Sequence, residues 1–114
     1  MKKIYSRIGL AQKAGKVSSG TMAARSGLLR NRACLLIMSS DISDNTRESL
    51  ITACKKQKVP WMVLGNKFEL GTCVGKAYRV AVTINEQGIA DSIIELVKSR
   101  GEGLNSTGVV EWPK

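Results

Sequence analysis

Apolar residues recur at helical spacing at the start of the chain. Ile4, Ile8 and Ala11 lie three or four positions apart, and this spacing predicts an amphipathic helix over residues 4–14. Gly15 follows and can close that helix in a left-handed conformation. We therefore expect the first element of the chain to be a helix, one face of which packs against the core.

A second helix and a buried strand are predicted next. An extended piece over residues 16–19 precedes a helix over 21–30, which is expected to start at Ser19 or Gly20. The continuous apolar run over 33–38 is typical of a strand that is covered on both faces. This run is the expected central strand of a sheet.

The remaining pattern alternates helix and strand. The predicted elements are a helix from a polar start at 41–45 to about residue 58, a strand over 61–64, a short helix over 67–74, a strand over 79–84, and a last helix. Trp61, in the strand over 61–64, is expected in the core. Asn85 is expected to cap the last helix, whose buried face carries Ile89, Ile93, Ile94 and Val97. Such alternation implies an α/β fold with helices on both faces of a small, largely buried sheet.

Length and composition indicate one domain. The chain has 114 residues, of which 43% are hydrophobic, enough for a single core. That domain is expected to cover residues 1–99. Residues 100–114 are rich in glycine and polar side chains, which predicts an extended or mobile tail. The pattern assigns no role to Val109, Val110 and Trp112 in this tail.

Nearly all of the net charge of +9 lies in the first third of the chain. No acidic residue precedes Asp41, whereas ten basic residues face nine acidic ones from there to the end. The basic residues before Asp41 are Lys2, Lys3, Arg7, Lys13, Lys16, Arg25, Arg30 and Arg32. A block of positive charge on a folded domain attracts polyanions, and it favours nucleic acid as the partner.

Enzymatic chemistry has little support in the residues. The chain contains no histidine, which removes Ser-His and Cys-His nucleophiles, and Cys34, Cys54 and Cys73 are spaced as buried thiols rather than as metal ligands. Residues 71–77 resemble a phosphate-binding loop, but the spacing is one residue short and Ala77 cannot bind magnesium. We expect a protein that is not an enzyme and that carries no cofactor and no metal.

No apolar run approaches the roughly 18 to 20 residues that a membrane span requires. The basic amphipathic start also lacks the apolar stretch of a signal peptide. The expectation is a cytoplasmic protein without a membrane partner.

The start of the second helix is the first candidate binding site. If the helix begins near Gly20, its free backbone N–H groups and the positive end of its dipole point outward. Ser19 and Thr21 add hydroxyl groups, and Lys16 and Arg25 add positive charge. These groups can cradle RNA phosphates. An ordinary helix start without a ligand is the open alternative.

The loop before the strand at 79–84 is the second candidate site. Gly75 and Ala77 are small, while Lys76 and Arg79 flank Tyr78. This combination offers two phosphate contacts and a stacking surface for an unpaired base. The alternative is that Tyr78 covers a strand end and that both cations are merely solvated.

Several segments, taken in their order along the chain, resemble the ribosomal kink-turn RNA-binding protein family, and most closely its bacterial YlxQ-like branch. The resemblance covers roughly residues 4–98 without a break. The segments that carry it are residues 9–17, Ser19 with Gly20, the apolar strand to Met38, and residues 41–46, 59–61 and 70–76.

The resemblance implies a three-layer α/β/α sandwich around a small mixed sheet of about four strands. It further implies a monomer that binds structured RNA without enzymatic activity, in ribosomes, riboswitches or other ribonucleoproteins, with ribosomal proteins as further partners. Two surfaces bind the RNA in this family. By position they fall on residues 20–26, where the family pattern is Gly-x-Asn-Glu-x-x-Lys, and on residues 75–79.

The chain departs from that family pattern at its base-reading positions. Met22, Ala23 and Ser26 stand where the pattern has Asn, Glu and Lys, so the polar groups that contact base edges are missing. Arg25 lies one position from the family lysine, a shift that turns a helical side chain by about 100°. The alternative function is therefore an RNA-shape or protein-docking scaffold that has lost selective kink-turn reading.

Overall fold

The computed structural model describes residues 2–99 and 108–111, with side chains for residues 3–99. The elements in chain order are α1 Lys2–Lys13, β1 Val17–Ser19, α2 Thr21–Leu29, β2 Leu35–Met38, α3 Asp44–Gln57, β3 Trp61–Leu64, α4 Lys67–Cys73, β4 Ala81–Ile84, α5 Gln87–Ser99 and β5 Gly108–Glu111. Most of the predicted ends differ from these bounds by no more than about two residues, which is the usual uncertainty of a helix or strand end.

The five strands form one mixed sheet in the order β1-β4-β2-β3-β5. Only the central pair, β2 and β3, is parallel, and the other three neighbouring pairs are antiparallel. Four of these strands were predicted, and the fifth comes from residues 108–111, which the pattern placed in the tail. Residues 100–107 and 112–114, including Trp112, lie outside the described residues. The division into a domain and a tail stays a prediction.

Helices cover both faces of the sheet, as the predicted α/β/α sandwich requires. α1, α4 and α5 pack on one face through side chains such as Ile8, Leu70 and Ile93. α2 and α3 pack on the other face through Leu28 and Leu50. The three-layer fold is confirmed.

Strand β2 contributes to both cores. Leu35 and Ile37 belong to the core under α1, α4 and α5, whereas Leu36 and Met38 belong to the core under α2 and α3. All four side chains are fully buried. Because successive side chains of a strand point to opposite faces, a strand covered on both sides needs an unbroken apolar run.

The start of α5 differs from the prediction. The Glu86 carboxylate, not Asn85, accepts hydrogen bonds from the backbone N–H groups of Gly88 at 2.7 Å and Ile89 at 2.8 Å. The Asn85 side chain instead accepts from Thr83 Oγ1 at 2.9 Å and donates to Ser18 Oγ at 3.0 Å. Asn85 follows the end of β4 and links it to β1, so its amide is already bonded.

Two predictions about buried side chains hold only in part. Cys54 is a buried free thiol, but Cys34 and Cys73 are half-buried. Trp61 was expected in the core and is half-buried instead, with the Arg47 guanidinium 5.8 Å from its ring centroid. Trp61 lies on β3, next to the edge strand, where α3 covers the ring with a charged side chain.

The buried thiol of Cys54 predicts a loss of stability at alkaline pH. Burial raises the pKa of Cys54 from 9.0 to about 12. The unfolded thiol ionises near pH 9 and the folded one does not, so its contribution to stability is complete below pH 9 and is lost as the pH rises towards 12. We expect the free energy of unfolding to fall by up to about 1.4 kcal/mol per pH unit through this thiol.

Urea unfolding at pH 8, 9 and 10 checks this expectation, with Cys54→Ala as the comparison. The Cys54→Ala variant lacks the thiol and should show a shallower slope between pH 9 and 10. Cys73 and Tyr5, whose pKa values are raised to about 11 and about 12, are present in both proteins, so their contributions cancel in this comparison. Equal slopes for the two proteins would contradict the assignment.

Candidate nucleic-acid interface

The two predicted binding segments lie at the same end of the sheet. The backbone N–H of Gly20 donates to the carbonyl of Ala81 at 2.8 Å, and the N–H of Ser39 donates to the carbonyl of Val80 at 2.9 Å. β4 runs antiparallel to both β1 and β2, so its first residues lie beside the ends of those strands. We call the surface formed by residues 19–25 and 75–79 the α2–β4 surface.

Gly20 allows the two segments to touch. Its φ of 98° lies in the region that side chains rarely adopt, and a Cβ placed on it would lie 3.7 Å from Arg79 Nε and 3.9 Å from Arg79 Cδ. The side chain of Arg79, almost sixty positions further along the chain, thus lies next to the space that a side chain at position 20 would take. The structure therefore places the two candidate segments side by side.

Helix α2 begins with free backbone donors. Its N-cap residue is Gly20, which has no side chain to accept a capping hydrogen bond. The amide of Ala24 donates to the carbonyl of Gly20 at 2.9 Å, and the amides of residues 21–23 precede this first helical bond. These amides and the helix dipole favour an anion at this place.

The side chain of Arg79 extends from the 75–79 segment towards the start of α2. Its Nη1 donates to the carbonyl of Tyr78 at 2.8 Å, and its Nε is buried without a hydrogen-bond partner. No carboxylate of the described residues forms an ion pair with this guanidinium. Its positive charge is therefore free to act on an anion at the start of α2.

The loop at 75–79 lies directly on helix α4. A Cβ placed on Gly71 would lie 2.5 Å from Tyr78 Cα, and the amide of Lys76 donates to the carbonyl of Gly71 at 2.9 Å. Gly75 has a φ of 70° and closes α4 before the loop. These contacts hold the loop so that Tyr78 is 55% exposed, beside the exposed Lys76 and Ala77.

The outer face of α2 carries the residues that replace the family's base-reading side chains. Met22 is 88% exposed, and Ala23 and Ser26 are exposed as well. Arg25 Nη2 donates to Ser49 Oγ of α3 at 2.5 Å, which directs this side chain towards α3. Positive charge is present on this face, but the Asn and Glu groups of the family pattern are not.

One residue of the predicted site, Lys16, is not part of the α2–β4 surface. Lys16 precedes β1 and lies at the opposite end of that strand from Gly20, roughly 13 Å away at the rise of a strand. Its carbonyl accepts from the amide of Asn85 at 2.7 Å. Ser19, the last residue of β1, and Thr21, the first of α2, are half-buried on either side of Gly20 and do belong to the surface.

Lys67 and Phe68 belong to the same region and were missed from the sequence. The ammonium group of Lys67 lies 5.4 Å from the ring centroid of Phe68 and 5.7 Å from that of Tyr78. Phe68 was interpreted only as part of a helix start. Its position two residues before the buried Leu70 is a signal that it lies off the buried face of α4.

Acidic groups near this region are occupied by backbone donors. Asp41 Oδ1 accepts from the amide of Lys67 at 3.0 Å, and Glu69 Oε1 accepts from the amide of Asn66 at 3.1 Å. Neither carboxylate forms an ion pair with a lysine or arginine of the described α2–β4 surface. These two carboxylates therefore do not neutralise the side-chain cations of this region, which can interact with an anionic ligand.

Comparison with known proteins identifies the family. The model of the ribosomal protein L7Ae/L30e/S12e/Gadd45 family matches residues 2–94, most of the chain. The chain belongs to this family. The motif resemblance is thereby confirmed, and because the family consists of ribosomal and RNA-binding proteins, the protein is not an enzyme.

Individual relatives support the assignment. The RNA-binding protein YlxQ of Bacillus subtilis (strain 168) is 34% identical over 90 residues, which cover 79% of this chain and 90% of that protein. The large ribosomal subunit protein eL8 of Picrophilus torridus is 28% identical over 100 residues, or 87% of this chain and 79% of that one. The similarity to YlxQ places the chain in the bacterial YlxQ-like branch.

Solved structures show the same fold. A Bacillus halodurans protein described as having unknown function superposes with a TM-score of 0.82 at 28% identity, covering 86% of this chain and 99% of that chain. The Giardia lamblia 15.5 kD RNA-binding protein has a TM-score of 0.69 at 20% identity, covering 86% and 84%. At that identity the second comparison shows the fold alone.

In the part of the chain that the structure describes, none of the helices has both the length and the apolar character that a membrane span requires.

Proposed function

We propose that the protein binds structured RNA through the α2–β4 surface. The observation that carries this proposal is the position of the Arg79 side chain beside Gly20, which puts the free amides of α2 and the cations of the 75–79 loop on one surface. Family membership and the similarity to YlxQ and eL8 proteins support RNA as the polyanion. The expected setting is the cytoplasm, as a monomer in the ribosome or another ribonucleoprotein.

Phosphate contacts are expected to supply most of the affinity. The amides at the start of α2 and the side chains of Lys76 and Arg79 all favour anions, and phosphate contacts position a protein on RNA without reading its sequence. If about four to six phosphates are neutralised, the logarithm of the affinity falls with the logarithm of salt at a slope of roughly −4 to −5.

The RNA target that we propose has a kink-turn-like shape. The 75–79 loop holds Tyr78 where an unpaired base of such an RNA can stack on its ring. The exposed Met22, Ala23 and Ser26 favour the second candidate, a scaffold that recognises RNA shape or docks a protein, because none of them can pair with a base edge as Asn or Glu does.

A binding comparison separates the two candidates. Affinity for a standard kink-turn RNA and for an unbent duplex of equal length is measured over a series of salt concentrations. A preference for the kink-turn well above threefold supports the first candidate, and a smaller preference supports the scaffold. Binding that is absent, or that does not change with salt, rules out the RNA-binding proposal.

Lys76→Gln is expected to weaken RNA binding to a similar extent for all RNAs. The substitution removes one phosphate contact and should reduce the steepness of the salt slope by about 1. Lys13→Gln is a matched control because it removes the same charge from the last turn of α1, whose C-terminal end lies at the Lys16 end of β1. Equal effects of the two substitutions would show that net charge, not the α2–β4 surface, governs binding.

A further inference from the structure

A second group of cations lies at the end of the sheet opposite the α2–β4 surface. Two arginines follow α2, and three lysines lie in or just after the last turn of α3. All five side chains are exposed, and residues 1–40 and 49–68, which carry them, contain no acidic residue. We call this group the α2–α3 basic surface. It consists of Arg30, Arg32, Lys55, Lys56 and Lys58.

The fold brings the two helix ends together. β1 and β2 both run antiparallel to β4, so the helices that follow them, α2 and α3, both return to the opposite end of the sheet. The chain then enters the neighbouring parallel strands β2 and β3, where the amide of Leu36 donates to the carbonyl of Pro60 at 3.0 Å. Because α2 and α3 also pack on the same face, the five cations lie at one end and on one face of the sheet.

The folded chain does not neutralise this charge. Cations favour a helix C-terminus, but the last carbonyls are already bonded to the backbone, because the Arg32 amide donates to Gly27 and the Val59 amide to Cys54, both at 2.9 Å. Within residues 3–99, none of the five cationic side chains has a hydrogen-bond or ion-pair partner. The Glu86 carboxylate, at this end of the sheet, is bonded to the backbone of α5 on the other face.

Lys58 occupies a position that stability alone does not favour. Its φ of 59° is left-handed, and glycine and asparagine are the usual residues in this conformation at a helix end. Asn31, which follows α2, has a φ of 61° and agrees with this preference. Lysine at position 58 therefore lowers stability relative to asparagine while it adds an exposed positive charge. This observation indicates that the charge acts outside the fold.

The chemistry of the surface favours the backbone of an RNA duplex. None of its five residues is aromatic, so it offers no ring on which an unpaired base can stack. The same five residues lack the apolar or aromatic anchor that the centre of a protein interface requires. Exposed lysines and arginines match phosphate oxygens, which they bind without reading the sequence.

We propose that the α2–α3 basic surface binds the phosphate backbone of a second RNA segment, a duplex that does not contact the α2–β4 surface. The protein measures 29 Å in its longest dimension, so a single folded RNA can reach both ends of the sheet. This inference rests on the proposed function. It gives the protein a second role, in which it bridges two parts of one RNA.

Two RNAs test the inference. Both carry the same kink-turn-like element, and in the second a plain duplex is joined to it by an unpaired linker that is longer than the protein. The wild-type protein should bind the second RNA at least about tenfold more tightly, because the linker makes the second contact intramolecular. Hydroxyl-radical footprinting should show protection of the backbone of the tethered duplex.

A double variant assigns this gain to the surface. Arg32→Gln with Lys58→Asn should abolish the gain and the protection of the duplex, and should leave the affinity for the first RNA nearly unchanged. The salt slope for the second RNA should become less steep by about 2. The matched control is Arg7→Gln with Lys13→Gln, which removes the same two charges from exposed positions of α1 on the other face. The control should keep the gain.

Lys58→Asn alone separates binding from stability. Asparagine suits the left-handed backbone better than lysine, so urea unfolding should show unchanged or higher stability. The gain from the tethered duplex should nevertheless fall. A purely structural role for Lys58 predicts the reverse, with lower stability and an unchanged gain, and that result would overturn the inference.

The remaining outcomes separate the inference from the proposed function. The inference is overturned if the wild-type protein gains nothing from the tethered duplex, or if the α1 control loses as much of the gain as the surface variant. Excess polyglutamate should leave the gain intact. If it abolishes the gain, an acidic protein segment is the better occupant and the inference is overturned as well. Binding of the first RNA, and its loss with Lys76→Gln, tests the proposed function separately. If the wild-type protein binds neither RNA, both proposals fall.

Discussion

Replacing Gly71 by alanine is expected to lower the free energy of unfolding by about 1–3 kcal/mol and to weaken RNA binding by about tenfold or more. A Cβ at this position would lie 2.5 Å from Tyr78 Cα and 2.8 Å from Tyr78 N and C. All three atoms belong to the backbone, so no side chain can rotate away to make room. The 75–79 loop must move, and Tyr78 moves with it.

Urea unfolding and RNA titration of the Gly71→Ala variant measure these two effects. Gly9→Ala is the matched control, because Gly9 also lies within a helix at a helix contact, but its added Cβ would lie 3.5 Å from the carbonyl oxygen of Cys73, an ordinary contact. That control should be neutral or up to about 1 kcal/mol more stable. A Gly71→Ala variant with unchanged stability and affinity would contradict the close packing of the loop on α4.

Restoring the family's base-reading pattern is expected to produce the largest change in selectivity. The variant carries Met22→Asn, Ala23→Glu and Ser26→Lys, all at exposed positions of α2 where the substitutions disturb no core. Each recovered base-edge pair contributes about 1–3 kcal/mol of discrimination, so the preference for a kink-turn over a duplex should rise at least about fivefold per pair.

Titration of the triple variant with both RNAs checks this expectation. Ser26→Lys alone is the control, since it adds the same positive charge as the triple variant's lysine but neither the amide nor the carboxylate. It should raise the affinity for both RNAs and change their ratio little. If the triple variant has the same ratio as the wild-type protein, α2 does not present these positions to base edges, and the scaffold alternative gains support.

Local patterns predicted most of the helices and strands. The apolar run ending at Met38 indicated a strand buried on both faces, and β2 is such a strand because the helices of both layers cover it. The predicted cap of α5 was wrong by one residue, since Asn85 and Glu86 can both cap a helix. Asn85 is engaged by Ser18, a residue of β1 that lies distant in sequence.

The candidate site was predicted less completely. Both segments of the α2–β4 surface were found from glycines, cations and Tyr78, but Lys16 was assigned to it and lies at the other end of β1. Phe68 was missed because the sequence around it indicates only a helix start. Its place in the site depends on the loop that carries Tyr78, which packs beside the start of α4 only in the folded structure. Proximity across the fold is not contained in local spacing.

The sequence by itself determined the alternation of helix and strand, the doubly buried central strand, the concentration of positive charge and the departure from the family pattern at Met22. These properties depend on residue type and on short periodic spacing. Only the tertiary structure decided which residues form one surface. The antiparallel pairing of β1 with β4 brings Gly20 to Arg79, and the packing of the loop on Gly71 sets Tyr78 beside Lys67 and Phe68. Such contacts form between residues that are distant in sequence, because they depend on how the strands pair in the sheet and how the helices and loops pack on it.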